Sequence, residues 1–124
     1  MRVFKSKWFA RFARKEGIDD ATLCAAIRRA AGGKVDADYG GGVIKQRIAR
    51  LNEGKSGGYR SIILIQKGKR AFFVYGFAKN ERDNIGKGDE EDFKELAKIL
   101  FAVPEESLED LKKSGKYSEI EYEK

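Results

Sequence analysis

The sequence predicts an α+β fold, with a small, mainly antiparallel sheet, an N-terminal helical hairpin and further helices toward the C-terminus. Three observations predict it. Apolar residues recur at helical spacing before Gly33 and again over residues 89–101. Strand-like runs, alternating or rich in β-branched residues, occupy residues 43–50, 59–66 and 71–78. Glycine-containing turns separate the two kinds of segment.

Val3 and Phe4 open a short strand. Trp8, Phe9, Phe12 and Ala13 then fall on one helical face, and Gly17 is placed to end that helix. A second helix is capped by Asp19 or Asp20, carries Leu23, Ile27 and Ala30 at i, i+4 and i+7, and stops at Gly32 and Gly33. Beyond it Asp36 and Asp38 flank Ala37 ahead of a glycine triplet. Two carboxylates beside such a turn cap or bend the chain more readily than they hold a metal, because no further carboxylate clusters with them. In the strand that follows, period two puts Ile44 and Ile48 on one face and Lys45 with Arg47 on the other.

Residues 52–58, NEGKSGG, read as a hairpin loop into the strand Tyr59–Gln66. After a Lys-Gly-Lys turn, residues 71–78 are apolar on both faces, as suits a central strand covered by helices on one side. Residues 89–101 carry Phe93, Leu96, Ala97 and Leu100 at i, i+3, i+4 and i+7, behind an acidic first turn that complements the helix dipole. Pro104 begins a shorter helix through Leu108 and Leu111 to Gly115, and the tail alternates as a last strand with Ile120 and Tyr122 on one face. A chain of 124 residues with 41% hydrophobic content suits a single domain over 1–124, with residues from about 104 as a C-terminal extension.

Composition removes several chemistries. There is no histidine and one cysteine, Cys24, set among alanines as a small buried hydrophobe. That excludes disulfides within the chain, histidine-based nucleophile schemes and nearly all zinc arrangements. No apolar run approaches the roughly 20 residues of a membrane span, and the N-terminus lacks a secretory apolar stretch, so no membrane role and a cytoplasmic location are expected. The charge of +6 is unevenly spread: residues 1–82 hold 19 Lys and Arg against 7 Asp and Glu, and residues 83–124 hold 7 against 13. A basic body of this kind points to a polyanionic partner, nucleic acid foremost.

The stretch GKSGGYRS, residues 54–61, ends like a phosphate-binding loop but lacks the rest of one. The required upstream glycine is Ala49, and a strand follows where a helix must begin. A three-stranded meander would instead bring Lys45, Arg47, Arg60 and Lys79 to one concave region, with Lys55 reaching in from the loop. Spacing alone leaves two readings equal, a solvated sheet face or an anion site whose cations repel unless something negative sits among them.

The pieces IKQRIAR, GKSGGYRSIIL and FFVYGFAKNERDNI, in that order, resemble the RelE/ParE superfamily of toxin–antitoxin toxins, most closely its HigB-like branch. The resemblance covers the chain to about Phe101. It implies a RelE-like fold and a toxin of a type II toxin–antitoxin system: a ribosome-dependent mRNA endoribonuclease that cleaves by 2′-hydroxyl attack, with no metal and no cofactor. It further implies a cognate antitoxin, a small helix-turn-helix protein of the HigA-like kind, and mRNA on the ribosome as substrate.

Carried over by position, the two basic residues of the family's second strand match Lys45 and Arg47, the arginine of its Gly-Tyr-Arg segment matches Arg60, and the basic residue after its fourth strand matches Lys79. The implied roles are Lys45 as base, Arg60 as phosphate clamp and Lys79 as transition-state cation. Arg47, Lys55 and Arg82 position the RNA, and Tyr59 offers a stacking surface, Tyr75 being more at home in the core. Two features depart from the family pattern. The tyrosine that often follows the last basic residue is missing from the run Asp-Asn-Ile-Gly-Lys, and Arg47, which does not deprotonate, stands where a lysine is usual. Two alternatives stay open: a ParE-like gyrase inhibitor, and a non-catalytic nucleic-acid-binding module for which the basic body suffices.

Overall fold

A computed structural model describes residues 1–49, 58–82 and 84–122. The chain opens with strand β1, Arg2–Ser6, and passes without a loop into helix α1, Lys7–Glu16. Ser6 makes the transition possible, because its extended backbone ends the strand while its Oγ accepts the Phe9 N–H at 3.0 Å. Gly17 ends α1 in the left-handed conformation (φ 71°), and Asp19 caps α2, Asp20–Ala31, by accepting the Thr22 N–H at 2.9 Å.

Strand β2, Ala37–Gly40, follows and forms a hairpin with β3, Val43–Ile48. Then come β4, Tyr59–Gln66, β5, Arg70–Ala78, α3, Lys87–Phe101, a single 3-10 turn at Glu105–Ser107, α4, Leu108–Lys113, and β6, Tyr117–Ile120. The sheet order is β2-β3-β4-β5-β1-β6. All neighbours are antiparallel except β1 with β5, whose parallel register pairs Arg2 with Arg70 and Lys5 with Phe73. The α+β, RelE-like fold is therefore present. The segment after Pro104 ends in a strand of the common sheet, hydrogen-bonded to β1 with Val3 opposite Ile120.

Two apolar cores sandwich that sheet. One gathers Phe9, Leu23 and Ile27 of the N-terminal helices with Ile44, Ile48, Ile63 and Phe73. The other gathers Ala97, Leu100 and Leu108 of the C-terminal helices with Val43, Ile62, Leu64 and Phe72. Helices thus cover both faces, not one, which is what the unbroken apolar sequences of β4 and β5 require. In β5 the register skips at Val74, since Ile62 faces Tyr75 while Ile63 faces Phe73. This bulge puts Val74 and Tyr75 against the same core, and frees Gly76 to lie beneath Phe12 of α1.

Candidate active site

Alternation along β3 places Lys45 and Arg47 on the face of Val43, and the β3–β4 register sets Arg60 directly opposite Arg47 and Ile62 opposite Lys45. Three cations therefore meet on one sheet face. Arg60 is 7% exposed, and a guanidinium so enclosed needs both a counter-charge and hydrogen bonds. Asp36 supplies the first: its Oδ2 accepts from Arg60 Nε at 3.0 Å and lies 3.5 Å from Lys45 Nζ. The Tyr59 carbonyl accepts from Arg60 Nη1 at 3.3 Å.

Gly58 leaves room for this convergence. A Cβ there would lie 3.1 Å from the Ile48 carbonyl oxygen, 3.6 Å from Arg47 Nε and 3.9 Å from Arg60 Nη1. The Gly58 carbonyl also accepts the Lys79 N–H at 3.2 Å, so the chain leaving β5 runs beside the cluster, with the Lys79 side chain exposed. Asp36 is held by its own N–H, which donates to the Lys45 carbonyl at 3.1 Å. Arg60 and Lys45 on one carboxylate, with Arg47 opposite Arg60, form an arrangement suited to the oxygens of a phosphodiester.

Arg82 stands farther along the same region. Its Nε donates to the Asn84 carbonyl and its Nη1 to the Tyr75 hydroxyl, each at 3.0 Å, and its guanidinium lies 5.6 Å from the Phe77 ring centre. Since Phe77 is opposite Arg60 in the β4–β5 register, Arg82 and the cluster share one surface.

Tyr59 departs from expectation. It is 1% exposed, meets Phe12 edge-on at 5.7 Å and donates its hydroxyl to Glu16 at 2.7 Å. Its ring is core, with no face offered to a base. Tyr75, by contrast, is half-buried. Lys55 lies outside the described residues.

Asp36 is the site residue that sequence reasoning assigned to a different task. Had residues 37–40 been read as the partner of β3, hairpin register alone would have put Asp36 beside Lys45. Asp38 does bend the chain, accepting the Gly40 N–H at 2.9 Å. Among the described residues no group of three or more His, Cys, Asp or Glu is arranged to hold a metal ion. Nor, among them, is any helix long and apolar enough to cross a membrane.

A helix-covered mixed sheet with a basic patch at one end defines a toxin of the RelE-like class. The family model described as the RelE toxin of the RelE/RelB toxin–antitoxin system matches residues 1–120, and the chain belongs to that family. The match runs past Pro104 to the last strand, beyond the stretch over which the quoted sequence pieces carry the likeness. Toxins of this family pair with an antitoxin and are generally ribonucleases. No curated protein matches the sequence.

Proposed function

We propose that this toxin is a ribosome-dependent mRNA endoribonuclease of the HigB-like branch, acting in the cytoplasm without a metal and neutralised by a helix-turn-helix antitoxin. One observation carries the proposal: a nearly buried Arg60 stands opposite Arg47 on one sheet face and shares Asp36 with Lys45. A scissile phosphate seated there takes over the ion pairs that Asp36 now makes.

In the proposed reaction a ribose 2′-oxygen attacks its own 3′-phosphorus. The new O–P bond forms as the P–O5′ bond breaks, leaving a 2′,3′-cyclic phosphate and a free 5′-hydroxyl. Lys45 is the proposed acceptor of the 2′-proton, and the departing 5′-oxygen takes a proton from water. Arg60 and Lys79 stabilise the charge that gathers on the phosphate oxygens, and this preorganised electrostatic term is commonly the largest in such chemistry. Arg47, Arg82 and Lys55 hold the RNA backbone, a role that acts on affinity before rate.

The test is induced expression of wild type and Arg60→Ala in a bacterial host, followed by mapping of mRNA 5′ ends. New ends inside translated codons with wild type alone are expected, with a rate loss of at least about a hundredfold for the variant. Growth arrest without new ends would instead support gyrase inhibition or binding without cleavage.

A further inference from the structure

Among the described residues the pairing of β1 with β5 ends at Phe73, and beside the edge this leaves, α1 carries two stripes. Lys7, Arg11 and Lys15 recur every fourth residue and are all exposed, and Trp8 and Phe12 recur beside them. Trp8 is 45% exposed, an unusual fate for the largest apolar side chain in a protein with room in two cores. Its indole lies 5.5 Å from Phe12 with 14° between the planes and 4.6 Å from Tyr75 with 30° between them. These near-parallel rings border an open cavity of about 450 Å³ whose rim includes Arg11, Lys15 and Arg82.

Gly76 lies under Phe12 in the wall of this slot, and a Cβ there would fall 2.4 Å from the ring, so the missing side chain is what lets Phe12 seat against β5. Among the described residues Lys7, Arg11, Arg14 and Lys15 form no ion pair, whereas Arg60 and Lys45 share Asp36. Glu16 and Glu81 are the carboxylates in the wall, and Glu16 already accepts the Tyr59 hydroxyl.

We infer that this slot is a stacking site for one unpaired nucleobase of the RNA, with the Lys7, Arg11 and Lys15 stripe tracking the phosphates beside it. A half-exposed indole backed by two further rings offers a flat surface on which a base stacks, and cations at regular spacing without ion pairs fit a polyphosphate strand. Phe77 connects the two sites, since it lines the slot and also stands opposite Arg60. A strand whose phosphate sits on Arg60 would pass Arg82 and turn a neighbouring base onto Trp8. An acidic peptide would satisfy the cations but leave the parallel rings unused. The inference rests on the ribonuclease reading for its ligand, though the binding can be measured without cleavage.

Trp8 is the only tryptophan of the chain, so its fluorescence reports this slot alone. The experiment titrates a single-stranded oligoribonucleotide, 2′-O-methylated to prevent cleavage, into the intact protein at low salt. It is repeated on Arg11→Glu/Lys15→Glu, whose substitutions are solvent-exposed, after circular dichroism and melting show that variant folded. Saturable quenching in wild type, with half-saturation shifted upward at least about tenfold in the variant, is the expected result. Absence of quenching overturns the inference, as does quenching indifferent to the two charge reversals. Quenching by an acidic peptide but not by RNA also overturns it and makes the slot a protein-docking surface. Charge-dependent quenching without mRNA cleavage in cells would keep the slot and remove the ribonuclease reading; cleavage without quenching would do the reverse.

Discussion

Asp36 sets the behaviour of the cation cluster at the scale of single residues. It faces Arg60 and Lys45 at once, so one carboxylate is shared by two cations. Removing it strands an enclosed guanidinium. Asp36→Ala is expected to lower stability by about 2 kcal/mol, below the range for a fully buried pair because the Asp36 side chain is 33% exposed. Urea denaturation measures it, and an unchanged midpoint would mean that solvent already screens the pair. The sequence made the cations legible, since period two in β3 and the run after Gly58 fix their face. It concealed Asp36, whose neighbour in space depends on a strand of weak pattern. Tyr59 was misassigned because β4 is buried along nearly its whole length, so its first residue is no more open than its middle. The bulge at Val74 breaks the alternation on which any inside–outside assignment along β5 depends.

At the scale of elements, the glycine triplet shows how one turn holds a whole hairpin. Gly40, Gly41 and Gly42 all have positive φ, at 89°, 65° and 85°, and this turns β2 back onto β3. Gly42 is also in close contact with α3, since a Cβ there would come within 2.6 Å of the Phe101 ring and 3.0 Å of the Ile65 carbonyl oxygen. Gly42→Ala therefore combines backbone strain with overpacking, and a loss of about 2–3 kcal/mol is expected. Thermal melting of the variant tests this, and a near-native midpoint would show that Phe101 can move aside. The strands and helices with dense patterns, β4 and β5 with α2 and α3, were readable within two or three residues. Strand β2 was not, because Ala-Asp-Tyr-Gly has no alternating apolar set and is a strand only through its bonds to β3.

The whole molecule is fastened at the end of the sheet away from the cations. Arg2 donates to Glu119 through Nε at 2.9 Å and Nη2 at 2.8 Å, and reaches Glu109 at 2.7 Å and Glu105 at 3.2 Å. Arg70 ties the same corner, donating to the carbonyls of Leu100 and Val103 at the end of α3. Among the described residues the acidic segment after Pro104 thus neutralises basic residues of β1 and β5 at this corner. Hydrogen bonding to Arg2 is the main cause that brings the Glu119 carboxyl down to about 2, from an ordinary 4.5. A depressed carboxyl stabilises the fold fully above its unfolded value and loses that contribution as pH falls through the folded one. Glu119→Gln is expected to be less stable than wild type by about 1 kcal/mol at pH 7, a figure kept small by solvent screening. The difference should vanish between pH 4.5 and 2, and denaturation curves at those pH values decide it.

That corner also governs the timing of assembly. The first strand made, β1, has no neighbour until residues 70–73 exist, and its other edge stays open until residues 117–120 exist. Pairings so distant along the chain form slowly. A nascent β1 must therefore keep both of its edges unpaired while the intervening residues are made, and the ribosome's own pace sets how long they stay exposed.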